Sequence, residues 1–412
     1  MALLFLLFIL VIAAGIIESK IHKANLKKIP WIIHVNGIRG KSSTTRLIRG
    51  GLSNAGYKAI AKTTGTEPRL IFEDGQEEKI YRAGIPRIIE QLKVINLIKD
   101  RNIDVLVVEC MAISPEMQWI SENKLLQAAI GVITNVKYDH QDKMGASLDE
   151  IASTLALTIP KNGDLVTGDR QFLEKFREIA AARGTRTHFA GGALAEEIHS
   201  ESGEITGARQ AKARTAPDGL KLKNYFKYPV FNQNVASALE VCRLFKVDDE
   251  IALKGMASAS PDPGALRFYK LTINDYNLFL INGFAANDYE STIKTWETWK
   301  SWYHYEDYKN LPLIGIFNSR FDRGYRIKEL NGLNTSINFT ELYLMGYSPA
   351  HLLGQANGNY NKYKRLKFSG FQKEMEKLTA KYKSDLILFG FGNTKNDGLR
   401  VIEYFRDNGE EL

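Results

Sequence analysis

Short apolar runs alternate with amphipathic segments of helical period between residues 31 and 190. The apolar runs predict buried strands at 31–35, 57–61, 103–109, 128–134, 163–167 and 185–190. The amphipathic segments predict helices at 41–55, 86–99, 147–158 and 170–183. Because repeated alternation of strands and helices is typical of α/β proteins, we expect a doubly wound parallel sheet here.

The alternation is interrupted at 191–227, where charged, glycine and small residues mix, and we interpret this stretch as a variable surface excursion. Helices are expected at 235–246 and from Asp248, and the small, proline-rich segment 259–266 predicts a linker. Further strands are expected at 268–273, 278–282, 311–317, 341–346 and 385–390, with helices ending near 299 and at 347–353, 371–382 and 397–405. The sequence thus predicts a central domain at 31–258 and a smaller, Rossmann-like C-terminal α/β domain at 267–412.

The chain begins with an uncharged apolar stretch, Met1 to Ile17, which as a helix would extend roughly 25 Å at about 1.5 Å per residue, and we expect an anchor at residues 1–18. That length is slightly less than the ~30 Å hydrocarbon core, but flanking lysines that reach the headgroups would let it span a bilayer. The next segment, 19–30, is basic, and positive charges favour the cytoplasmic side. We expect a single-pass anchor in the cell membrane with cytoplasmic catalytic domains; the alternative is a buried core helix.

The composition fits a globular protein, since 44% of the 412 residues are hydrophobic and 25% are charged. Two cysteines that lie far apart exclude a disulfide framework. A net charge of +8 would suit anionic lipid, a phosphate-rich ligand or an acidic substrate. No basic run is interleaved with aromatic residues, so nucleic acid is not an expected partner.

The apolar run 31–35 leads into the spacing GxxGKSS, and a helical pattern follows. Glycines at 37 and 40 would let the backbone pass close to a phosphate chain, with amide groups at the helix start pointing towards it. Lys41 would reach the terminal phosphates and the Ser42 hydroxyl would bind Mg²⁺. The alternative is an ordinary turn with a solvated lysine. The candidate ATP-binding residues of this loop are Asn36, Gly37, Ile38, Arg39, Gly40, Lys41, Ser42 and Ser43.

Polar side chains follow other predicted strands at the same edge of the sheet. Glu109 ends the run 103–109 and is a candidate Mg²⁺ ligand, because acids at the carboxyl ends of parallel strands face the ligand crevice. Asp139, His140 and Asp142 follow the strand at 128–134 and suggest a second metal site. The loop Lys62, Thr63, Thr64, Gly65 and Thr66 would lie beside the phosphate loop. These residue types are equally typical of an ordinary turn without a ligand.

Taken together and in order, these motifs resemble the Mur ligase superfamily of ATP-dependent amide ligases. The motifs are GIRGKS at 37–42, Glu109, the Asn135 to Asp142 segment, Asn234-Val235 with Ala238-Leu239, and Pro263-Gly264-Ala265-Leu266-Arg267. The fuller strings NGIRGKS at 36–42, KTTGT at 62–66, PDPGA at 261–265 and NGFAAND at 282–288 are similar to the catalytic subunits of poly-γ-glutamate synthases, the PgsB/CapB family.

The resemblance implies roles for individual residues. Lys41 would hold the β- and γ-phosphates, Ser42 and Glu109 would bind one Mg²⁺, and His140 would help to bind a second. Asn234 would contact the adenine, and Arg267 would reach the phosphates from the C-terminal domain. Lys41, His140 and Arg267 are thus the catalytic candidates. The candidates for substrate binding are Lys62, Thr63, Thr64, Thr66 and Asp288.

Three positions depart from the superfamily pattern. Leu155 stands where many relatives have a carbamylated lysine, and Ser237 replaces a frequent second asparagine near the adenine. Gly283 stands where an acid is expected after the second strand of the C-terminal domain, and Asn282 or Asp288 are the candidate replacements.

The resemblance also implies the activity. It indicates a membrane-anchored, ATP-dependent ligase that polymerises glutamate into poly-γ-glutamate through an acyl phosphate, releasing ADP and phosphate. ATP and one or two Mg²⁺ ions would be required, and Mn²⁺ could replace Mg²⁺. The implied partners are glutamate, the growing chain, the membrane, a small polytopic membrane subunit (PgsC/CapC-like) and a second copy in a homo-oligomer. The alternatives are another Mur-type ligase similar to folylpolyglutamate synthases, a membrane-tethered P-loop ATPase, and a nucleotide-gated structural subunit of an export complex.

Overall fold

The computed structural model of the chain describes residues 1–65, 67–82, 84, 87–191, 222–262, 264–319, 333, 336–347 and 363–412. It divides into two compact units, each described separately below. Unit 1 comprises Met1–Tyr225 and Phe231–Asp262, and unit 2 comprises Phe226–Val230 and Pro263–Leu412. Most of the predicted excursion at 191–227, and Thr66 and Pro263, lie outside the described residues.

Unit 1 is built on an eight-stranded sheet. Its strands are β1 (Trp31–Asn36), β2 (Ala59–Lys62), β3 (Arg69–Ile71), β4 (Glu77–Lys79), β5 (Val105–Glu109), β6 (Ile130–Ile133), β7 (Asp164–Thr167) and β8 (Arg186–Phe189). The strand order is β4-β3-β2-β5-β1-β6-β7-β8, and all pairings are parallel except β2–β3 and β3–β4. This confirms the predicted doubly wound α/β fold.

The helices of unit 1 follow the predicted order with shifted ends. They are α1 (Ala2–Leu26), α2 (Lys41–Asn54), α3 (Glu90–Ile98), α4 (Pro115–Ile120), α5 (Gln141–Met144), α6 (Leu148–Ala156), α7 (Leu173–Ala182), α8 (Asn232–Leu244) and α9 (Asp249–Ser258). A π-helical segment, Ser121–Leu126, continues α4. The start of α8, three residues before the predicted position, places Asn234 in its first turn.

Two features of unit 1 were not predicted. The strands β3 and β4 form an antiparallel edge of the sheet, and β4 consists of Glu77, Glu78 and Lys79. Such a short polar strand has no apolar periodicity to identify it. The second feature is the helical segment from α4 to Leu126. It contains the buried polar residues Gln118, Ser121 and Glu122, and polar composition of this kind does not predict a buried helix.

The N-terminal helix α1 is continuous beyond the predicted anchor at 1–18. It runs to Leu26, so most of the predicted basic segment 19–30 is also helical. Among the described residues, one helix, Leu3–Leu26, is long and apolar enough to cross a membrane. At the end of α1, Leu26 joins a core cluster of unit 1, and His22 Nε2 lies 2.8 Å from the carbonyl oxygen of Leu125. The helix is therefore fixed to unit 1 by packing.

Unit 2 is built on a seven-stranded mixed sheet in the order β13-β12-β11-β14-β10-β9-β15. Its strands are β9 (Arg267–Ile273), β10 (Tyr276–Gly283), β11 (Leu313–Ser319), β12 (Glu341–Gly346), β13 (Tyr363–Arg365), β14 (Leu386–Phe391) and β15 (Glu410–Glu411). Its helices are α10 (Tyr289–Trp302), α11 (Phe371–Tyr382) and α12 (Asp397–Asn408). The predicted helix at 347–353 lies mostly outside the described residues.

The interior strands of both sheets are apolar because both of their faces are covered. In unit 2 the core divides into two clusters that contain alternate residues of β10, for example Phe279 in one and Leu280 in the other. Alternate side chains of a strand point to opposite faces, so this division places packed layers on both sides of the sheet.

A buried ion pair lies beneath the central strand of unit 1. His34, on β1, is 1% exposed, and its Nδ1 lies 2.8 Å from Oε2 of Glu122. Burial alone would lower the pKa of His34, but the neighbouring Cys110 and the Glu122 carboxylate outweigh burial and raise the pKa to about 10. The imidazolium and the carboxylate therefore neutralise each other in the core.

We expect this pair to stabilise the native protein less as the pH rises. With a folded pKa of about 10 against about 6.5 unfolded, its contribution is complete below pH ~6.5 and disappears as the pH rises through ~10. Urea unfolding of detergent-solubilised wild type and His34→Gln checks this. From pH 7 to pH 9.5 the difference in unfolding free energy between the two should shrink by roughly 2–3 kcal/mol. A constant difference would contradict the assignment.

Candidate active site

The loop between β1 and α2 has the backbone of a phosphate-binding turn. Gly37 and Gly40 have φ values of 121° and 78°, which side-chain-bearing residues rarely adopt. A Cβ at Gly37 would collide with Thr134, and one at Gly40 would collide with Asn234. The 14-residue helix α2 begins directly after this loop, so its free amide groups face the turn.

Ser42 and Glu109 lie together, as the strand-end argument predicts. The pairing of β1 with β5 places Val35 opposite Glu109, which brings both carboxyl ends to one edge of the sheet. Ser42 Oγ donates a hydrogen bond of 2.8 Å to Glu109 Oε2, and the amide of Thr64 donates one of 2.6 Å to the same oxygen. Glu109 is only 3% exposed, so these contacts hold its carboxylate at the mouth of the loop.

The Lys41 side chain folds back over the loop. Its Nζ donates to the carbonyl oxygens of Gly37 at 2.8 Å and Ile38 at 3.3 Å. Loop carbonyls thus hold the ammonium group above the turn, at the position where a phosphate chain would follow the backbone amides.

Asn36 occupies a different position from the one expected of an ATP ligand. Its side chain is 2% exposed, and Nδ2 donates to Gln118 Oε1 at 2.5 Å and Thr158 Oγ1 at 2.9 Å. These bonds tie the end of β1 to α4 and to the residues after α6. Asn36 therefore supports the loop from inside the protein, and its contact with ATP stays a prediction.

Thr134 and Asn135 clamp the loop, a role that was not predicted for them. Asn135 Oδ1 accepts from the amide of Arg39 at 3.0 Å, and its Nδ2 donates to the Arg39 carbonyl at 3.0 Å. Thr134 Oγ1 donates to the same carbonyl at 2.7 Å. Their position at the end of β6 was the available signal. Ile38, also in the loop, packs into an adjacent core cluster.

The segment after β6 does not gather the predicted second metal site. Asp139 Oδ2 lies 3.1 Å from Arg39 Nη1, so this carboxylate pairs with the phosphate loop. His140 has a φ of 49° and precedes α5, whose first turn contains Asp142. Within the described residues, no three His, Cys, Asp or Glu side chains lie close enough together to bind a metal ion. The expected convergence of these groups beside Glu109 is therefore not observed.

Lys62 is a fully buried member of an ion-pair cluster. Its Nζ lies 2.8 Å from Glu90 Oε1, and Arg82 donates to both oxygens of Glu90 at 2.6 and 2.9 Å. Burial lowers the pKa of Lys62, and the Glu90 carboxylate opposes that shift. Lys62 is thus satisfied by protein groups in this structure, and its contact with substrate stays a prediction.

The threonines after Lys62 differ in their surroundings. Thr63 is buried and its Oγ1 accepts from the amide of Arg69 at 3.2 Å, so it closes the turn between β2 and β3. Thr64, which is half-buried, faces Glu109 through its amide. Thr66 lies outside the described residues.

Asn234 lies against the phosphate loop from the first turn of α8. It is 6% exposed and lies where a Cβ on Gly40 would be. Its neighbour Gln233 donates to the carbonyl oxygens of Thr134 at 3.1 Å and Gly168 at 2.7 Å, which fixes the start of α8. Ser237, on the same helix, is buried.

The candidate residues of unit 2 have partners within that unit. Arg267 forms an ion pair with Glu411 and lies 4.4 Å from the ring centre of Tyr228. Asp288 caps α10, because its Oδ1 accepts from the amide of Ser291 at 2.9 Å.

Neighbouring atoms fill the space at Gly283, where the superfamily pattern has an acid. A Cβ on Gly283 would collide with the ring of Phe389 and the carbonyl of Gly390. Asn282 is fully buried, and its Nδ2 donates to the Ala265 carbonyl at 3.1 Å. The backbone at Gly283 leaves no space for a carboxylate.

Comparisons with known proteins cover both units. Residues 35–219 match the Mur ligase middle domain, and residues 268–408 match the poly-gamma-glutamate synthase CapB C-terminal domain. PGA synthase CapB of Bacillus subtilis (strain 168) is 36% identical over 409 residues, which are 98% of this chain and 97% of that protein. The capsule biosynthesis protein CapB of Bacillus anthracis is 38% identical over 323 residues, which are 78% of this chain and 64% of that protein.

Solved structures share the fold. The bifunctional folylpolyglutamate synthase/dihydrofolate synthase of Yersinia pestis, complexed with AMPPNP and Mn ion, superposes with a TM-score of 0.64 at 17% identity. The superposition covers 94% of this chain and 92% of that one. Because the Bacillus subtilis relative aligns over nearly the full length of both proteins, the chain belongs to the CapB family of poly-γ-glutamate synthases.

Proposed function

We propose that this protein is the ATP-dependent ligase that joins glutamate units into poly-γ-glutamate. The observation that carries the proposal is the contact of Ser42 Oγ and the Thr64 amide with one oxygen of Glu109 at the mouth of the phosphate loop. The family and the fold support an ATP-dependent amide-forming ligase. The matched poly-gamma-glutamate synthase C-terminal domain and the PGA synthase of Bacillus subtilis support glutamate as the polymerised unit.

The residues of the loop fit ATP and a divalent cation. A hydroxyl and a carboxylate oxygen 2.8 Å apart are hard oxygen donors of the kind that Mg²⁺ prefers. The turn at Gly37 and Gly40 leaves its amides available to phosphate oxygens. Ser42 and Glu109 would hold Mg²⁺, which when bound neutralises charge on the phosphates. Mn²⁺ in place of Mg²⁺ belongs to the same proposal.

The proposed reaction has two steps. An oxygen of the glutamate γ-carboxylate attacks the γ-phosphorus of ATP, the bond to the bridging oxygen breaks, and ADP leaves. The amine of the next glutamate then attacks the carbonyl carbon of the acyl phosphate, loses a proton and releases phosphate as the amide forms. Activation is needed because a carboxylate and an ammonium group do not condense spontaneously in water.

In this reaction, side chains of the protein would position ATP and neutralise the charge of its phosphates. Lys41 would place its ammonium against the β- and γ-phosphates as negative charge moves to the leaving oxygen. The Thr134 and Asn135 clamp keeps the loop amides in one geometry, so little reorganisation is needed during transfer. Arg267 would contribute a further positive charge and Asn234 would contact the adenine.

The proposed cellular setting is supported by α1, which is long and apolar enough to cross a membrane. As the anchor of a single-pass protein it would hold the two units at the cytoplasmic face of the cell membrane. A small polytopic membrane subunit of PgsC/CapC type would accept the polymer, and a homo-oligomer is compatible with this arrangement. The net charge of +8 suits a polyanionic product.

Substrate-dependent turnover tests the proposal. Membranes that contain the protein are incubated with ATP, Mg²⁺ and single amino acids, and ADP and anionic polymer are measured. We expect ADP release that depends on glutamate and accompanies polymer. ADP release without any amino acid would favour a tethered ATPase, no turnover would favour a structural subunit, and turnover with another amino acid would overturn the substrate.

Lys41→Ala should reduce glutamate-dependent ADP release by roughly 10²–10³-fold, since it removes a preorganised charge from the phosphates. The fold should persist because the Lys41 ammonium bonds to carbonyls of the loop itself. Lys254→Ala, at an exposed lysine of α9 paired with Glu250, is the matched control and should keep wild-type turnover. Full activity of Lys41→Ala would exclude the assigned role.

Glu109→Gln should raise the Mg²⁺ concentration needed for half-maximal activity by roughly tenfold or more, because an amide oxygen carries no charge for the cation. The amide oxygen of the substituted side chain would still accept hydrogen bonds from Ser42 and Thr64, so the local structure should persist. Titration of ADP release with Mg²⁺ measures the effect, and Glu116→Gln, at an exposed acid of α4, is the control. An unchanged Mg²⁺ requirement would exclude Glu109 as the ligand.

A further inference from the structure

The end of α1 leads into an aromatic and basic surface at the amino-terminal ends of the parallel strands of unit 1. Trp31, the first residue of β1, is 45% exposed, and its ring centre lies 5.3 Å from that of Phe245. The ring centre of Tyr57 also lies close to that of Phe245, at 5.2 Å. Four exposed lysines lie near these rings in sequence: Lys58 and Lys246 directly follow Tyr57 and Phe245, and Lys27 and Lys28 lie shortly before Trp31. We call this surface the Trp31 patch, and it consists of Trp31, Tyr57, Phe245, Lys27, Lys28, Lys58 and Lys246.

Hydrogen bonds hold the parts of the Trp31 patch together. The amide of Trp31 donates to the carbonyl of Asp104 at 3.1 Å, and the amide of Lys58 donates to the Asp104 carboxylate at 2.8 Å. The Tyr57 hydroxyl donates to the carbonyl of Phe245 at 3.3 Å. The patch is thus a fixed surface, in which Asp104 is turned towards the backbone.

The Trp31 patch lies at the amino-terminal ends of the parallel strands, and the phosphate loop lies at their carboxyl ends. β1 starts at Trp31 and ends at Asn36, from which the loop continues. Six residues at about 3.3 Å each place the loop roughly 20 Å from the patch. β2 and β5 run parallel to β1, so their first residues lie at the patch edge and Lys62 and Glu109 lie at the loop edge.

The helix α1 connects the Trp31 patch to the apolar span without a flexible joint. Ile21 and the large apolar residues before it are exposed, whereas Asn25 and Leu26 are buried. Lys28 Nζ lies 2.8 Å from Asp100 Oδ1, beyond the end of α3. A helix fixed at its last turn sets the direction in which the span leaves unit 1.

We infer that the Trp31 patch rests on anionic lipid headgroups and holds the phosphate-loop edge of unit 1 away from the membrane. The inference rests on the anchoring proposed above. Tryptophan and tyrosine favour the interface between headgroups and hydrocarbon, and lysines nearby attract anionic lipids. Continuity with an exposed apolar helix is what selects a lipid surface as the occupant. In this orientation ATP and glutamate reach the phosphate loop from the cytoplasm.

Site-specific quenching in nanodiscs tests this orientation with the full chain. Single variants Lys58→Cys and Lys246→Cys carry a fluorophore at the Trp31 patch. Tyr138→Cys, 55% exposed in the segment after β6 at the loop edge, is the control. The native thiols of Cys110 and Cys242 are buried, so unsubstituted protein should label little. Nanodiscs of phosphatidylglycerol with a spin-labelled headgroup lipid supply the quencher.

We expect the two patch labels to be quenched about twofold or more above the Tyr138→Cys label, because quenching requires contact with the headgroup layer. Equal quenching of all three labels, or stronger quenching at position 138, would overturn the inference. Patch labels shielded from both the lipid quencher and soluble iodide would overturn it in favour of a protein contact.

A parallel measurement separates this inference from the proposed function. Retention of the wild-type chain in membranes after alkaline carbonate washing tests the anchor, and glutamate-dependent ADP release tests the ligase. Retained, active protein with equal quenching refutes only the orientation. Protein that washes off refutes the anchor and the orientation together, whatever its ligase activity.

Discussion

The register between β1 and β5 is the constraint on which the candidate site depends. It sets Val35 opposite Glu109, so a carboxylate and the start of the phosphate loop reach the same edge together. A shift of one residue would turn Glu109 to the other face of the sheet and separate it from Ser42. The apolar side chains of both strands are buried on both faces, and this burial fixes the register. The hydrophobic core thus determines the geometry of a polar site.

Two buried ion pairs of unit 1 each connect separate elements. Glu90 on α3 binds Lys62 on β2, and Glu122 binds His34 on β1. A charge in a low-dielectric interior is tolerated only with a partner, so the removal of one member would leave the other unsatisfied. These pairs therefore align the strands that present the loop and Glu109.

The fold class and the Ser42–Glu109 contact could be predicted because both follow from local patterns. Apolar runs identify buried strands, and the ends of parallel strands share an edge. The position of Thr134 and Asn135 after β6 indicated that they lie near the loop, but their bonds to the backbone of Arg39 leave no trace in residue spacing. The sequence also suggested that Asp139 and His140 act together, whereas Asp139 turns to Arg39. The ion pair of Lys62 could not be predicted either, because its partner Glu90 lies on a separate helix.

Close packing around the backbone of Gly283 prevents the acidic residue of other superfamily members from being introduced at this position. A designer who aligned this chain with relatives and restored their acid at that position would insert a side chain into the space of Phe389. The strands β10 and β14 pair there through Gly283 and Phe391, so the added atoms would separate two strands at the centre of the sheet. To introduce that carboxylate, Phe389 must first be replaced by a smaller residue. The aromatic core of unit 2 therefore restricts which residues its candidate site can contain.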